Sequence, residues 1–64
     1  MKITDTYTIA LLMWYFGMDA SEVRTSDWTD EEIARAQAYC KQKRFDPIDW
    51  AGEWVYSNSS YYED

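Results

Sequence analysis

The chain has 64 residues, twelve of them acidic against six basic, no histidine, and a formal charge of -6. That length holds one small core, since a chain of about 60 residues buries only about 60% of the surface its unfolded form exposes. The absence of histidine removes the commonest general base and any Cys/His zinc set. The single Cys40 cannot close an internal disulfide, which predicts a reducing, cytoplasmic compartment. Aromatic residues are abundant (four Trp, six Tyr, two Phe). At roughly 150–250 Å² each, they are expected to substitute for the staples of other small domains.

Thr4 or Asp5 caps a first predicted helix running to about Phe16, and Gly17 supplies the left-handed residue that closes it. Lys2 is the only base before this segment, and no small-residue cleavage pattern follows it, so no secretory leader is expected. The uninterrupted apolar stretch Ile9–Phe16 is far short of the ~20 residues that span a bilayer. Ile9, Leu12, Met13 and Phe16 form one stripe of this helix, and Tyr7, Leu11 and Trp14 another. A helix apolar all round must be covered all round. The second stripe is therefore either the central core or a dimer seam, and on the latter reading Leu11, Trp14 and Tyr15 are candidate self-association residues, with a homodimer as the corresponding expectation.

Asp19-Ala20-Ser21-Glu22 has capping-box spacing and predicts a short turn of helix near 20–25. The strongest local signal is Thr29 followed by Asp30-Glu31-Glu32, with Trp28 placed to staple onto Ile33. Lys41, Lys43 and Arg44 close the other end, so the helix over 30–44 has both termini matched to its dipole. Its inner face is expected to be Ile33, Ala36, Gln37 and Cys40, with Ala34 and Ala38 allowing close approach.

Asp46-Pro47 is a cap followed by proline at the first helical position. It starts a third long helix, over 47–56, weakened by Gly52 at a cost of about 1 kcal/mol. A short strand over Glu53–Tyr56 is the alternative. The Ser/Asn run from Ser57 has no periodicity and reads as a mobile acidic tail over 57–64. The expected fold is all-α: one three-helix domain over 1–56 (about 5–16, 30–44 and 47–56) with the extra turn of helix and the tail.

Cys40 on an alanine-rich face is a small core residue, and the paired carboxylates Asp49 and Glu53 form a solvated turn. No activated catalytic set is visible, and enzymatic activity is not expected. Asp27, Asp30, Glu31 and Glu32 are dense, yet the glycine and closing glutamate of a calcium loop are missing, so neither metal nor cofactor is expected. The stretch Met13–Gly17–Val23 has the spacing of a helix-turn-helix. Its recognition segment, Ser21–Asp27, carries one base against two acids, and phosphate neutralisation needs the reverse. Trp28-Thr29 with Glu31-Glu32 is similar to the opening of Myb-type repeats but lacks their later tryptophans and basic helix. Direct nucleic-acid binding is not expected, nor is membrane association.

Residues 45–64 carry Asp46, Asp49, Glu53, Glu63 and Asp64 and no base. The three-then-four spacing of Asp46, Asp49 and Glu53 places them on one side of a helix, beside Trp50 and Trp54. Asp27, Asp30 and Glu31 extend the same idea. Helix rise (~1.5 Å per residue) and duplex charge spacing (~1.7 Å) are close enough for carboxylates to stand in for phosphates. Trp and Tyr are enriched at binding hot spots, so Asp46, Asp49, Trp50, Glu53, Trp54, Tyr61 and Tyr62 are the candidate partner-binding residues. In size and charge the chain resembles the small acidic single-domain inhibitors of bacteriophages. The resemblance implies docking on a basic face of a larger, nucleic-acid-handling protein in the host cytoplasm, as an inhibitor, modulator or DNA mimic. The alternative is a structural or adaptor module assembling through the first helix.

Overall fold

In the computed structural model the described residues are 2–58, and they form five helices. The first, α1 (Thr6–Phe16), starts where the Asp5 carboxylate accepts the Thr8 amide at 2.9 Å. It stops at Gly17, whose φ of 67° lies in the left-handed region. A Cβ added there would meet nothing within 4 Å, so torsion selects glycine at this position rather than lack of space. The next helix, α2 (Ala20–Thr25), is capped by Asp19, which accepts the Glu22 amide at 3.0 Å. Beyond it the indole N–H of buried Trp28 donates to the Val23 carbonyl at 2.9 Å, satisfying one of the acceptors a helix C-terminus leaves open.

The long helix, α3 (Asp30–Lys43), has the complete reciprocal capping box between Thr29 and Glu32. At its far end Arg44 occupies the left-handed region at φ 54°, and its amide reaches the Cys40 and Lys41 carbonyls. Cys40 Sγ donates to the Phe45 carbonyl at 3.0 Å and sews the turn closed. The predicted helix over 47–56 is divided in two. Asp46 caps α4 (Pro47–Trp50), accepting the Ile48 amide at 3.0 Å. Ala51 then leaves the helical region at φ -96°, ψ 21°, and α5 runs Gly52–Asn58. The break falls against the glycine, the residue with most backbone freedom to lose. Glu53–Tyr56 is helical rather than a strand, and helix continues through Ser57 to Asn58, two residues into the expected tail. The rest of that tail lies outside the described residues.

Helix α1 packs against α2, α3 and α4, and α5 packs on α4. Ile9, Ala10, Leu11 and Leu12 are consecutive and all buried. At about 100° per residue, four in a row cover most of the helix circumference. One core cluster gathers Ile9, Leu11, Leu12, Val23, Trp28 and Cys40, and a second joins Ala10, Ile48, Ala51 and Val55. Trp54 packs against both. Helix α3 leans on this core through Ala36 and Cys40, with Ile33 half-buried. Gln37, expected on the inner face, is exposed, as are Ala34 and Ala38. The side chains that do reach the core are small, and the space beside them is closed by Trp14 and Phe45. No helix among the described residues is long and apolar enough to cross a membrane.

Replacing Thr29 by Ala removes the hydroxyl that accepts the Glu32 amide and donates to the Glu32 carboxylate, leaves the backbone N–H of residue 29 to that carboxylate, and should cost about 1 kcal/mol of unfolding free energy in urea titration. Arg44→Gly should act the other way. Relief of the left-handed backbone outweighs the added freedom of the unfolded chain, giving a gain of about 0.5–1 kcal/mol. A loss of stability in Arg44→Gly would contradict the assigned turn.

Candidate functional site

Asp49, Trp50, Glu53 and Trp54 are brought together around the α4–α5 break. With Met13 of α1 and the backbone at Ala51 and Gly52 they line an open concavity of about 560 Å³. The side chains reach it from different supports. Asp49 and Trp50 stand exposed on the short helix that Asp46 and Pro47 start. Glu53 is exposed on α5, while Trp54, one residue on, is half-buried between the two core clusters. Met13 supplies a polarizable thioether to the wall.

The three-then-four stripe of carboxylates does not survive. Asp46 is outside the concavity, and its carboxylate is engaged by the Ile48 amide. The backbone departure at Ala51 interrupts the single helical frame that would align Asp46, Asp49 and Glu53. Asp27, Asp30 and Glu31 are exposed and do not line it. Glu31 instead holds Arg35 at 2.9 Å, an exposed i,i+4 pair worth at most about 0.5 kcal/mol. Tyr61 and Tyr62 lie outside the described residues.

Arg24 of α2 was not foreseen here. Its guanidinium carbon sits 5.6 Å from the centroid of the Trp54 ring, within cation–π range. A base from the preceding half of the chain therefore borders the acidic third, which no pattern in the local sequence announces. Trp50 carries no such intramolecular cation among the described residues and is 49% exposed. An exposed indole between two carboxylates suits a Lys or Arg side chain: the ring attracts the cation through its quadrupole, and the carboxylates offer charge-assisted hydrogen bonds.

The proposed self-association residues fare differently from one another. Leu11 is 0% exposed and enclosed by the protein's own core, so it presents no surface to a second copy. Trp14 is half-buried, stacked on Phe45 with centroids 4.1 Å apart and close to Tyr39 at 5.7 Å. Tyr15, also half-buried, meets Phe16 edge-on at 4.8 Å and Tyr39 at 5.5 Å. These rings dock α1 on α3, with Phe16 and Tyr39 at the wet margin. Phe45, given no role by the sequence pattern, is the partner that fixes Trp14. No group of three or more potential metal-ligating residues occurs among the described residues.

Comparison with protein-family models, curated proteins and solved structures finds no match to this chain.

The two indoles of the concavity should separate in a stability measurement. Trp54→Ala removes a ring shared by both core clusters and should cost about 2–3 kcal/mol. Trp50→Ala should stay within about 1 kcal/mol. Similar losses from both changes, in urea melts, would show that Trp50 is a packing residue and not an exposed anchor.

Proposed function

We propose that the chain is a small protein-binding module that docks on a basic surface of a larger protein and inhibits or modulates it. The observation that carries this reading is the shared concavity of Asp49, Trp50, Glu53 and Trp54. Carboxylates at its rim raise the rate of encounter with a cationic face, and desolvated rings slow departure. The favoured partner is a nucleic-acid-handling protein, because such proteins carry dense Lys/Arg surfaces. In size and charge the chain resembles bacteriophage inhibitors of this kind, which would act in the host cytoplasm. A cleft with paired acids and one exposed indole supports side-chain capture more than imitation of regular phosphate spacing.

The competing reading is an adaptor that assembles through α1. With Leu11 enclosed, it would rest on Tyr15 and the exposed edges of Phe16 and Tyr39. Salt separates the two readings. Exposed charge attraction weakens once the screening length shrinks from about 10 Å at 0.1 M salt to about 3 Å at 1 M, while aromatic assembly does not weaken in that way.

Affinity capture from a bacterial lysate should yield a partner at low salt that is lost at high salt. Asp49→Lys combined with Glu53→Lys should reduce its affinity at least about tenfold, since like charges then face the basic surface. Trp50→Ala should mainly speed dissociation. Retention of the same partner by the charge-reversed protein would refute electrostatic docking at this site, and a salt-independent dimer in sedimentation would favour the adaptor.

A further inference from the structure

In a chain with twice as many acids as bases, a cation without an acidic partner is the less expected feature. Most of the bases are engaged. Lys2 Nζ donates to the Thr25 carbonyl at 2.6 Å, Arg35 holds Glu31, Arg24 covers Trp54, and Lys43 Nζ lies 5.5 Å from the Tyr39 ring centroid. The side chains of Lys41 and Arg44 have no ion pair, hydrogen bond or ring contact among the described residues. Both line a second concavity, of about 450 Å³, with Tyr7, Gln37, Cys40 and Phe45. None of its lining residues is acidic. The nearest acid in sequence, Asp46, has its carboxylate on the Ile48 amide.

The dipole of α3 accounts for cations in its last turn. It does not account for an arginine at the left-handed position that follows, where the equivalent place after α1 is filled by glycine. Such outliers cluster at binding sites, where the side chain is kept at a cost to the backbone. Here that side chain lines a concavity together with a second cation, Lys41, and two aromatic rings, Tyr7 and Phe45. Phe45 is held in place by the Trp14 ring stacked on it at 4.1 Å, and Cys40 Sγ by its bond to the Phe45 carbonyl. The volume falls in the roughly 300–1,000 Å³ range of ligand clefts.

The geometry points to a binding site for a small phosphorylated ligand with a planar ring. Arg44 offers a guanidinium fork and Lys41 a point charge to the phosphate, the pairing that favours phosphate over neutral groups. The Gln37 amide can donate to the ligand, and Tyr7 and Phe45 wall the ring. The overall charge of -6 does not forbid this. Beyond the ~8 Å screening length at physiological salt, distant carboxylates are largely masked.

The test is an NMR amide titration of the full chain with adenosine monophosphate at fixed ionic strength, with adenosine and inorganic phosphate as separate arms. Saturable shifts are expected around Tyr7 and residues 37–45. Adenosine alone should bind far more weakly, and inorganic phosphate more weakly than the nucleotide. Arg44→Gly and Lys41→Gln should each lower the affinity by about tenfold through loss of a charge-assisted contact. Lys43→Gln removes the same charge from the same turn but outside the concavity, and should change it by less than about twofold. Thermal melts run in parallel keep the result readable, because Arg44→Gly is expected to be the more stable protein. The proposal fails if there is no saturable shift, if adenosine or inorganic phosphate binds as well as the nucleotide, if Arg44→Gly and Lys41→Gln leave the affinity unchanged, or if Lys43→Gln causes an equal loss.

Discussion

An eleven-residue helix with no polar face has to be wrapped, and in a chain this short the wrapping consumes nearly every other element. Four consecutive buried residues, Ile9–Leu12, leave α1 little direction in which to meet water. Helices α2, α3 and α4 each lie on it, and α5 follows α4. This makes α1 the reference frame for the surface as well as the core. Met13 forms part of the acidic concavity and Tyr7 part of the basic one. They are six positions apart, roughly 9 Å along the axis and on different faces. The two concavities are thus held at a fixed relation by the helix on which α2, α3 and α4 all pack.

What could be read from the residues was local. Asp5 with Gly17, Asp19 with Glu22, Thr29 with Glu32, and Asp46 with Pro47 each sit beside the backbone group they satisfy, and each marks a helix end correctly. The outcomes that depended on distant chain were harder to read. Gln37 had the right helical spacing for the inner face, but only Ala36 and Cys40 of α3 are buried in the core, and Gln37 is exposed. Leu11 belonged to a stripe open to either the core or a second copy, and it lies in the core cluster with Val23 of α2 and Ala36 and Cys40 of α3. The division at Ala51 lies between these extremes. Gly52 weakened the helix visibly, but which residue would leave the helical region depends on packing of Ala51 and Val55 with Ala10. Of the candidate site, Asp49, Trp50, Glu53 and Trp54 were legible together because they are close in sequence. Met13 and Arg24 were not, since each lies tens of residues away.

Charge is arranged on a shorter length scale than the net value suggests. Across Arg44-Phe45-Asp46 the sign reverses within three residues, and the backbone passes from a left-handed turn to a helix cap. Asp46 has a structural reason to be at this junction, since it accepts the Ile48 amide, whereas the dipole of α3 accounts for Lys41 and Lys43 in its last turn and not for Arg44 beyond it. The carboxylates further along, at Asp49 and Glu53, are ones that no cap requires. That difference separates acids serving the fold from acids left for a surface.

The aromatic residues divide in the same manner. Among those described, only Trp28 is buried, while the fully enclosed large side chains are Ile9, Leu11, Leu12, Val23, Val55 and Pro47. The rings do not make up the enclosed core. They form a partly wet girdle outside it, in contact from Trp14 through Tyr39 and Tyr15 to Phe16 and Trp28. Trp50 and Trp54 show how one more step makes a site. Four apart on an unbroken helix, two indoles share a face and meet the same environment. With the helix interrupted at Ala51, Trp54 turns into the seam between the two core clusters and Trp50 stays half in water. The interruption costs helix continuity, and it yields an anchored ring beside an available one, with a carboxylate next to each.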